Sequence, residues 1–166
     1  SMIRRSFCFR EGIGEVTEKS LWSSGIDSWD KFLSCSKDSV PNVSEKRKAY
    51  YDRRIKEARS NLYRFNSSYF RGMRETWRLY GFFREETVFL DIESSGNSKD
   101  DYITIFGLFD GVNTKVMVDL DLKALEEELS QYKLIVTFNG SSYDLPLIRK
   151  KYDILPEIPH IDLRHL

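Results

Sequence analysis

The chain has 166 residues, which allows one ordinary domain or one domain with a small appendage. Apolar residues make up 40% and charged residues 31%, and no run approaches the roughly 18 apolar residues of a membrane span, so the composition predicts a soluble globular protein and excludes a membrane-spanning one. Cys8 and Cys35 have neither a CxxC nor a Cys/His spacing, which excludes a disulfide framework and indicates a reducing, cytoplasmic compartment.

The formal net charge is zero, but the charges are distributed unevenly along the sequence. Residues 1–44 hold six Lys/Arg and six Asp/Glu, residues 45–84 hold twelve and four, and residues 85–166 hold eight and sixteen. A basic middle beside an acidic final third is typical of a polyanion-binding arm next to a site that collects carboxylates. A solvated helix whose charges pair with the acidic part would give the same distribution, so both interpretations stay open.

Residues 1–41 are predicted to form a small N-terminal module of short elements. A helix is expected over residues 17–25, and Asp27 is a candidate cap for a second helix that starts near Ser28. The segment EGIGEVTEKSLW resembles the hairpin and second helix of a helix-hairpin-helix DNA-binding motif. In that motif, backbone N–H groups at the glycines, here Gly12 and Gly14, contact a phosphate; a simple tight turn would also explain both glycines.

Residues 42–84 are predicted to form a basic helical arm. Ser44 is placed to cap a long helix, because a serine hydroxyl accepts a hydrogen bond from the first turn. Apolar residues then recur at intervals of three or four, which predicts one buried stripe along the helix. The stripe consists of Tyr51, Ile55, Ala58, Leu62 and Phe65.

The other faces of this helix carry a basic surface that is interleaved with Tyr50 and Tyr51. Such a surface can follow a phosphate backbone while aromatic rings stack on bases, so we expect nucleic acid as the partner, either a single-stranded end or a DNA duplex. The basic residues are Lys46, Arg47, Lys48, Arg53, Arg54, Lys56 and Arg59, of which Lys46, Arg47, Arg53 and Arg54 are the predicted contacts.

The hydrophobic pattern changes at residue 85, and residues 85–166 are predicted to form a sheet with helices. The runs TVFLDIE, YITIFGLFD and KVMVDL are separated by short turns, which predicts three antiparallel strands. An amphipathic helix at DLKALEEELSQY, a buried strand at KLIVTF, a helix within NGSSYDLPLIRKKY and a strand at IPHIDL follow. This order predicts an α/β fold with a mixed sheet.

Asp91 and Glu93 stand two positions apart on the first strand, so both side chains leave the same face of the sheet. Two like charges that close repel unless a cation lies between them, and rigid oxygen ligands suit Mg²⁺ or Mn²⁺. If the strand at 133–138 lies parallel to the first strand, Asp144 comes up beside Asp91. Taken separately, Asp91 and Glu93 could be solvated acids at a strand end, and Asp144 could be an ordinary acid in the first turn of a helix. The three together favour a metal site.

FLDIESSG, followed about fifty residues later by VTFNGSSYDLPLI, resembles the first two motifs of the RNase H-like 3′–5′ exonucleases of the DEDD type. These include the proofreading domains of family B polymerases and stand-alone predicted exonucleases with a DIE-T-T-G motif. The resemblance implies an RNase H-like fold and two divalent ions, Mg²⁺ or Mn²⁺, for hydrolysing phosphodiester bonds of DNA or RNA. It further implies that Asp91, Glu93 and Asp144 are the catalytic metal ligands.

By the same resemblance, Asn139 and Tyr143 would shape the substrate pocket, although a turn Asn and a packed aromatic fit these positions equally well. Asp162 lies outside the metal set of the family, which favours a structural role at its strand end. The family takes a fourth acid and a Tyr or His base from a helix downstream of HIDL, and the sequence stops at Leu166. We therefore expect either a fragment of a longer protein or a short form whose incomplete site binds metal weakly and cleaves slowly or not at all. The alternative is a non-catalytic nucleic-acid-binding module with a degenerate RNase H-like fold. A third, weaker hypothesis is an assembly role in which the basic arm binds acidic protein surfaces.

Overall fold

The computed structural model describes residues 1–9, 13–36, 38–95, 103–118, 122–138 and 156–165. The chain divides into two compact units, Ser1–Phe82 and Phe83–Leu166. The predicted N-terminal module and nearly all of the predicted basic arm therefore lie in one unit. None of the described helices is long and apolar enough to cross a membrane.

The first unit is helical in the residues that the structure describes. Its α-helices are α1 (Glu15–Ser23), α2 (Trp29–Ser34) and α3 (Glu45–Tyr63), followed by α4 (Tyr80–Phe83), which reaches the boundary with the second unit. Short 3₁₀ helices occupy Met2–Arg5, Ser67–Phe70 and Thr76–Leu79.

Helix α1 starts two residues earlier than predicted and ends as the sequence indicates. Gly25 adopts φ +85°, a left-handed conformation that glycine reaches without strain, and the amide of Ile26 donates to the carbonyl of Leu21 at 2.9 Å. The predicted cap of α2 was wrong. The hydroxyl of Ser28 accepts from the amide of Lys31 at 3.2 Å, whereas Asp27 binds the Lys31 ammonium at 2.8 Å.

Helix α3 follows its prediction except at one position. The Ser44 hydroxyl accepts from the amide of Arg47 at 3.3 Å, which confirms the predicted cap. The apolar stripe from Tyr51 to Leu62 is buried, but Phe65 is 42% exposed, so its place in the stripe was wrong. The helix ends at Tyr63, and Phe65 adopts φ 57°, which turns the chain out of the helical path.

A buried ion pair joins α1 to the segment before α4. The Glu18 side chain is 1% exposed and the Arg78 side chain 7%, and their charged groups approach to 2.8 Å. Glu18 also accepts from the amides of Phe7 at 2.7 Å and Cys8 at 3.3 Å. A buried carboxylate is tolerated only when it is paired in this way.

The second unit is built on a sheet whose described strands number five. They are β1 (Thr87–Ser95), β2 (Ile103–Phe109), β3 (Thr114–Val118), β4 (Leu134–Thr137) and β5 (His160–Asp162), with α5 (Leu122–Ser130) between β3 and β4. The strand order is β3-β2-β1-β4-β5. Strands β1, β2 and β3 pair antiparallel, whereas β4 runs parallel to both β1 and β5, which confirms the predicted mixed α/β sheet.

Helix α5 packs on one face of this sheet. Leu125 and Leu129 are buried in a cluster with Val88, Leu90 and Ile92 of β1, as the amphipathic pattern of the helix predicted. Because strand side chains alternate, the residues between these positions point to the opposite face. We call that opposite face the acidic face, since it carries Asp91 and Glu93.

Candidate active site

The acidic face presents two carboxylates near the end of β1. Asp91 and Glu93 are both exposed, and Ile92 between them is buried in the core cluster. Their side chains therefore share one solvent-accessible face of the sheet, as the sequence predicted. They lie beyond Phe89, which pairs with Val136 at the last recorded position of the parallel ladder between β1 and β4. The carboxyl ends of adjacent parallel strands are where α/β sheets bind ligands.

Gly107 on β2 leaves the surface beside Asp91 open. It is the register partner of Asp91 across the antiparallel ladder. A Cβ at position 107 would lie 3.7 Å from the Asp91 carbonyl oxygen and 3.8 Å from its Cβ. A glycine within a strand often marks a place where a ligand comes close to the backbone. Sequence reasoning missed Gly107, although its position inside the strand-like run YITIFGLFD was a usable signal.

Two phenylalanines extend the acidic face away from the carboxylates. Phe89, two residues before Asp91, pairs with Phe109 on β2. Their ring centroids are 6.1 Å apart with an interplanar angle of 46°, and Phe109 is exposed. An accessible aromatic ring beside an acid pair can take up the face of a nucleic acid base.

The ends of β4 and β5 carry polar groups on the opposite face. Thr137 is in register with Asp162, and Ile135 of the core cluster is in register with His160, so His160 and Asp162 point to the α5 side. The Asp162 carboxylate is nearly buried and accepts from the amide of Arg164 at 3.1 Å. These contacts fit the structural role predicted for Asp162.

Residues 88–166 match the RNase_H_2 family of the RNase_H superfamily. The match begins at the second residue of β1 and runs through β5, and the mixed α/β sheet of the second unit is consistent with an RNase H-like fold. We call it the RNase H-like unit. The match is at the level of the superfamily, and the exonuclease subtype stays a prediction. Comparisons with curated proteins and with solved structures gave no significant match.

Enzymes of the RNase H superfamily generally use divalent metal ions, and the acidic face fits such an ion in part. Asp91 and Glu93 offer hard oxygen atoms on a rigid strand, and Gly107 leaves room beside them. Within the described ranges, no group of three or more His, Cys, Asp or Glu is placed to hold a metal. Asn139, Tyr143 and Asp144 lie outside the described residues, so the third ligand stays a prediction.

The basic surface of α3 is smaller than the sequence indicated. Lys48 is 1% exposed, binds Asp52 at 2.6 Å and lies 4.9 Å from the centroid of the Phe32 ring. Its predicted place on a solvent-facing surface was therefore wrong, because it lies one helical turn before Tyr51 on the buried side of the helix. Lys46, Arg53 and Lys56 are exposed, and no ion pair is recorded for them among the described residues.

Two arginines of α3 are held by neighbouring tyrosines. Arg47 donates to the Tyr51 hydroxyl at 2.6 Å, and Arg54 Nε donates to the Tyr50 hydroxyl at 3.1 Å. The hydrogen bond with Tyr50 raises the pKa of Arg54 further above its usual value. These contacts fix the guanidinium groups in place.

The glycine motif at the amino terminus is described only in part. Gly14 is the N-cap of α1 with φ −87°, and nothing lies within 4 Å of an added Cβ. Neither conformation nor space therefore requires a glycine there. Gly12 lies outside the described residues, and the segment before the hairpin is a 3₁₀ helix, Met2–Arg5, rather than an α-helix.

Proposed function

We propose that this protein is a metal-dependent nuclease whose RNase H-like unit hydrolyses phosphodiester bonds of DNA or RNA from a 3′ end. One observation carries the proposal. The exposed pair Asp91 and Glu93 lies on a single face of β1, beside the open surface at Gly107, within the residues that match the RNase H superfamily.

In this proposal Asp91, Glu93 and Asp144 hold a two-metal site for Mg²⁺ or Mn²⁺. A bound ion of this kind supplies a water of lowered pKa and stabilises the negative charge of the transition state. The chain itself contributes the oxygen atoms, and their rigid placement on β1 limits the entropy lost on binding. The absence of a side chain at Gly107 lets a phosphate approach Asp91 from the β2 side.

Substrate binding is proposed for three sets of residues. Asn139 and Tyr143 would shape the pocket at the end of β4, and Phe109 would offer its exposed ring to a base. The basic arm, together with the glycines of the N-terminal module, would hold the phosphate backbone. The proposed phosphate-binding residues are Gly12, Gly14, Lys46, Arg47, Arg53 and Arg54.

The experiment is hydrolysis of 3′-labelled single-stranded DNA and RNA in Mg²⁺, Mn²⁺ or EDTA. We expect slow release of the labelled 3′ nucleotide in the presence of either metal and none in EDTA. Asp91→Asn should abolish it, whereas Glu127→Gln, which neutralises an exposed acid on α5, should not. Cleavage that survives Asp91→Asn would refute the nuclease assignment to this site.

A second candidate function is nucleic-acid binding without turnover. The exposed cations Lys46, Arg53 and Lys56 on one helix of the first unit favour this function, because they can bind phosphate groups whether or not the protein cleaves the strand. In that case Asp91→Asn would leave a salt-sensitive affinity for nucleic acid unchanged, and no metal would produce cleavage.

A further inference from the structure

The first unit contains a cavity of about 800 Å³ whose wall is rich in arginine. Arg54 of α3 lines it together with Arg71 and Arg74, which are both exposed. We call these three residues the arginine wall. Planar guanidinium groups of this kind bind phosphate groups through paired hydrogen bonds.

The carboxylates of the same cavity cancel this charge only in part. Glu18 and Glu75 are both bound to Arg78, and Glu15 binds Lys19 at 2.9 Å. Three acids of the cavity therefore share two cations outside the arginine wall, Arg78 and Lys19. Within the wall, Arg54 pairs with Glu57 at 3.5 Å, and the three arginines still leave a net positive charge. For Arg74, no ion pair is recorded within the part of the chain that the structure describes.

Arg78 is a buried cation that lines the cavity. Its side chain is 7% exposed and lines the cavity, and its Nε–H makes no hydrogen bond among the described residues. The Nε atom itself is closed to solvent, so Arg78 contributes to the wall by holding Glu18 and Glu75 rather than by offering an open donor. The guanidinium is fixed in place by Glu18 and lies 5.5 Å from the centroid of the Trp22 ring.

The start of α1 adds backbone donors to the same wall. Gly14 and Glu15 line the cavity, and Gly14, as N-cap, has no side chain that could accept from the amides of the first turn. Those amides, together with the helix dipole, favour an anion at this end of the nine-residue helix.

An aromatic side chain completes the cavity. Tyr50 is 38% exposed, lines the cavity and is held by the hydrogen bond from Arg54 Nε. The volume falls in the usual range for small organic ligands and exceeds what a single phosphate ion fills. A cavity of this size that offers arginines for a phosphate and an aromatic ring for a base is suited to a nucleotide.

We propose that this cavity binds a nucleotide, with its phosphate on the arginine wall and the start of α1 and its base against Tyr50. The occupant is either a free nucleotide or the phosphorylated end of a strand, because both present the same group. The proposal does not depend on hydrolysis by the RNase H-like unit, so either can fail while the other holds.

The test is calorimetric titration of the whole chain with adenosine 5′-monophosphate and uridine 5′-monophosphate, beside adenosine and uridine. We expect the monophosphates to bind and the nucleosides to bind at least about tenfold more weakly. Arg74→Glu should weaken binding of the monophosphates by about tenfold or more, since it reverses an exposed charge of the wall. Arg64→Glu makes the same charge change on an exposed residue outside the cavity and should have little effect.

A short oligonucleotide with and without a 5′-phosphate distinguishes a free nucleotide from a phosphorylated strand end as the occupant of the cavity. Preference for the phosphorylated strand over the monophosphate assigns a strand end, and equal binding assigns the free nucleotide. Nucleosides that bind as tightly as monophosphates, equal losses in the two variants, or no binding of any phosphate would overturn the proposal. Thermal melting by circular dichroism verifies that Arg74→Glu remains folded.

Discussion

Asp91 on β1 faces Gly107 on β2, so the carboxylate that is proposed to bind metal has a residue without a side chain as its neighbour across the ladder. Any other residue at position 107 would place its Cβ 3.8 Å from the Cβ of Asp91. That distance is ordinary van der Waals contact for a Cβ, so we expect a larger residue to be accommodated in the strand and to cover the flank of Asp91. The acidic face can therefore be blocked without disturbing the fold.

Replacing this glycine tests whether the open surface is needed. We expect Gly107→Val to weaken Mn²⁺ binding by about tenfold, or about 1.4 kcal/mol, because the isopropyl group covers the approach to Asp91. The thermal midpoint should stay the same or rise, since valine favours the strand conformation more than glycine does. Calorimetric titration and circular dichroism measure the two effects.

Thr114→Val is the matched control for this substitution. Thr114 pairs with Phe109 on the neighbouring strand, at a distance from Asp91 along the sheet. Thr114→Val should leave the affinity for Mn²⁺ unchanged. Equal affinity in the unaltered chain and in Gly107→Val would show that the surface at Gly107 plays no part in binding.

The buried pair of Glu18 and Arg78 should dominate the stability of the first unit. Arg78→Met leaves the Glu18 carboxylate, which is 1% exposed, without its cation. We expect a loss of about 3–5 kcal/mol in the free energy of unfolding. Guanidinium unfolding followed by tryptophan fluorescence reports on this unit, since Trp22, Trp29 and Trp77 are the three tryptophans of the sequence.

Lys19→Met is the control for that measurement. It breaks the ion pair with Glu15, in which both side chains are more than half exposed. Exposed pairs contribute little, so the unfolding midpoint should move far less than in Arg78→Met. Similar shifts in the two variants would contradict the expectation that the buried pair stabilises the fold more than the exposed pair does.

The thiol of Cys8 should be unreactive in the folded protein. Burial and the neighbouring Glu18 carboxylate raise the pKa of Cys8 to about 12, so the thiolate that attacks alkylating agents is scarce at about pH 8.5. We expect iodoacetamide to modify Cys8 much more slowly in the native chain than in guanidinium, as followed by mass spectrometry of peptides. Equal rates would contradict the raised pKa.

The raised pKa of Cys8 also makes the stability of the protein fall at alkaline pH. The unfolded thiol loses its proton near its ordinary pKa while the folded thiol keeps it, so the contribution of Cys8 is full below about pH 8.5 and declines as pH rises toward 12. Cys8→Ser should flatten the alkaline fall of the unfolding midpoint. An unchanged slope would oppose this assignment.

Arg53 should act on nucleic acid through its charge alone. It is exposed on α3 and has no recorded ion pair among the described residues, so it can release a counterion on binding. We expect Arg53→Ala to weaken binding of single-stranded DNA and to lower the slope of log K against log salt by about 1. Lys123→Ala, an exposed cation on α5, is the control, and an equal effect of both would argue against α3 as the binding surface.

Much of the fold was predictable because its signals are local. The alternation of TVFLDIE and YITIFGLFD fixed which residues of β1 and β2 face the core, and the spacing of Leu125 and Leu129 fixed the buried side of α5. The parallel pairing of β1 and β4 followed from the helix between β3 and β4. Asp91 and Glu93 could be placed on one face for the same reason.

The errors arose where contacts between particular polar side chains decide the outcome. Lys48 carries a charge but is buried, because it contacts Asp52 and the Phe32 ring. Asp52 stands four residues later on the same helix, but the contact with Phe32 cannot be read from helical spacing. Ser28 caps α2 instead of Asp27 because Lys31 holds the Asp27 carboxylate. The convergence of Asp144 with Asp91 stays a prediction, since residue 144 lies outside the described part of the chain.

The most direct test of metal binding at the acidic face is paramagnetic broadening of backbone amide signals by Mn²⁺. At the lowest Mn²⁺ concentrations we expect the signals of Asp91, Glu93 and Gly107 to broaden first, and this broadening to disappear in Asp91→Asn. Broadening that starts instead on the acidic surface of α5, at Glu126 and Glu127, and that persists in Asp91→Asn would contradict a metal site on β1.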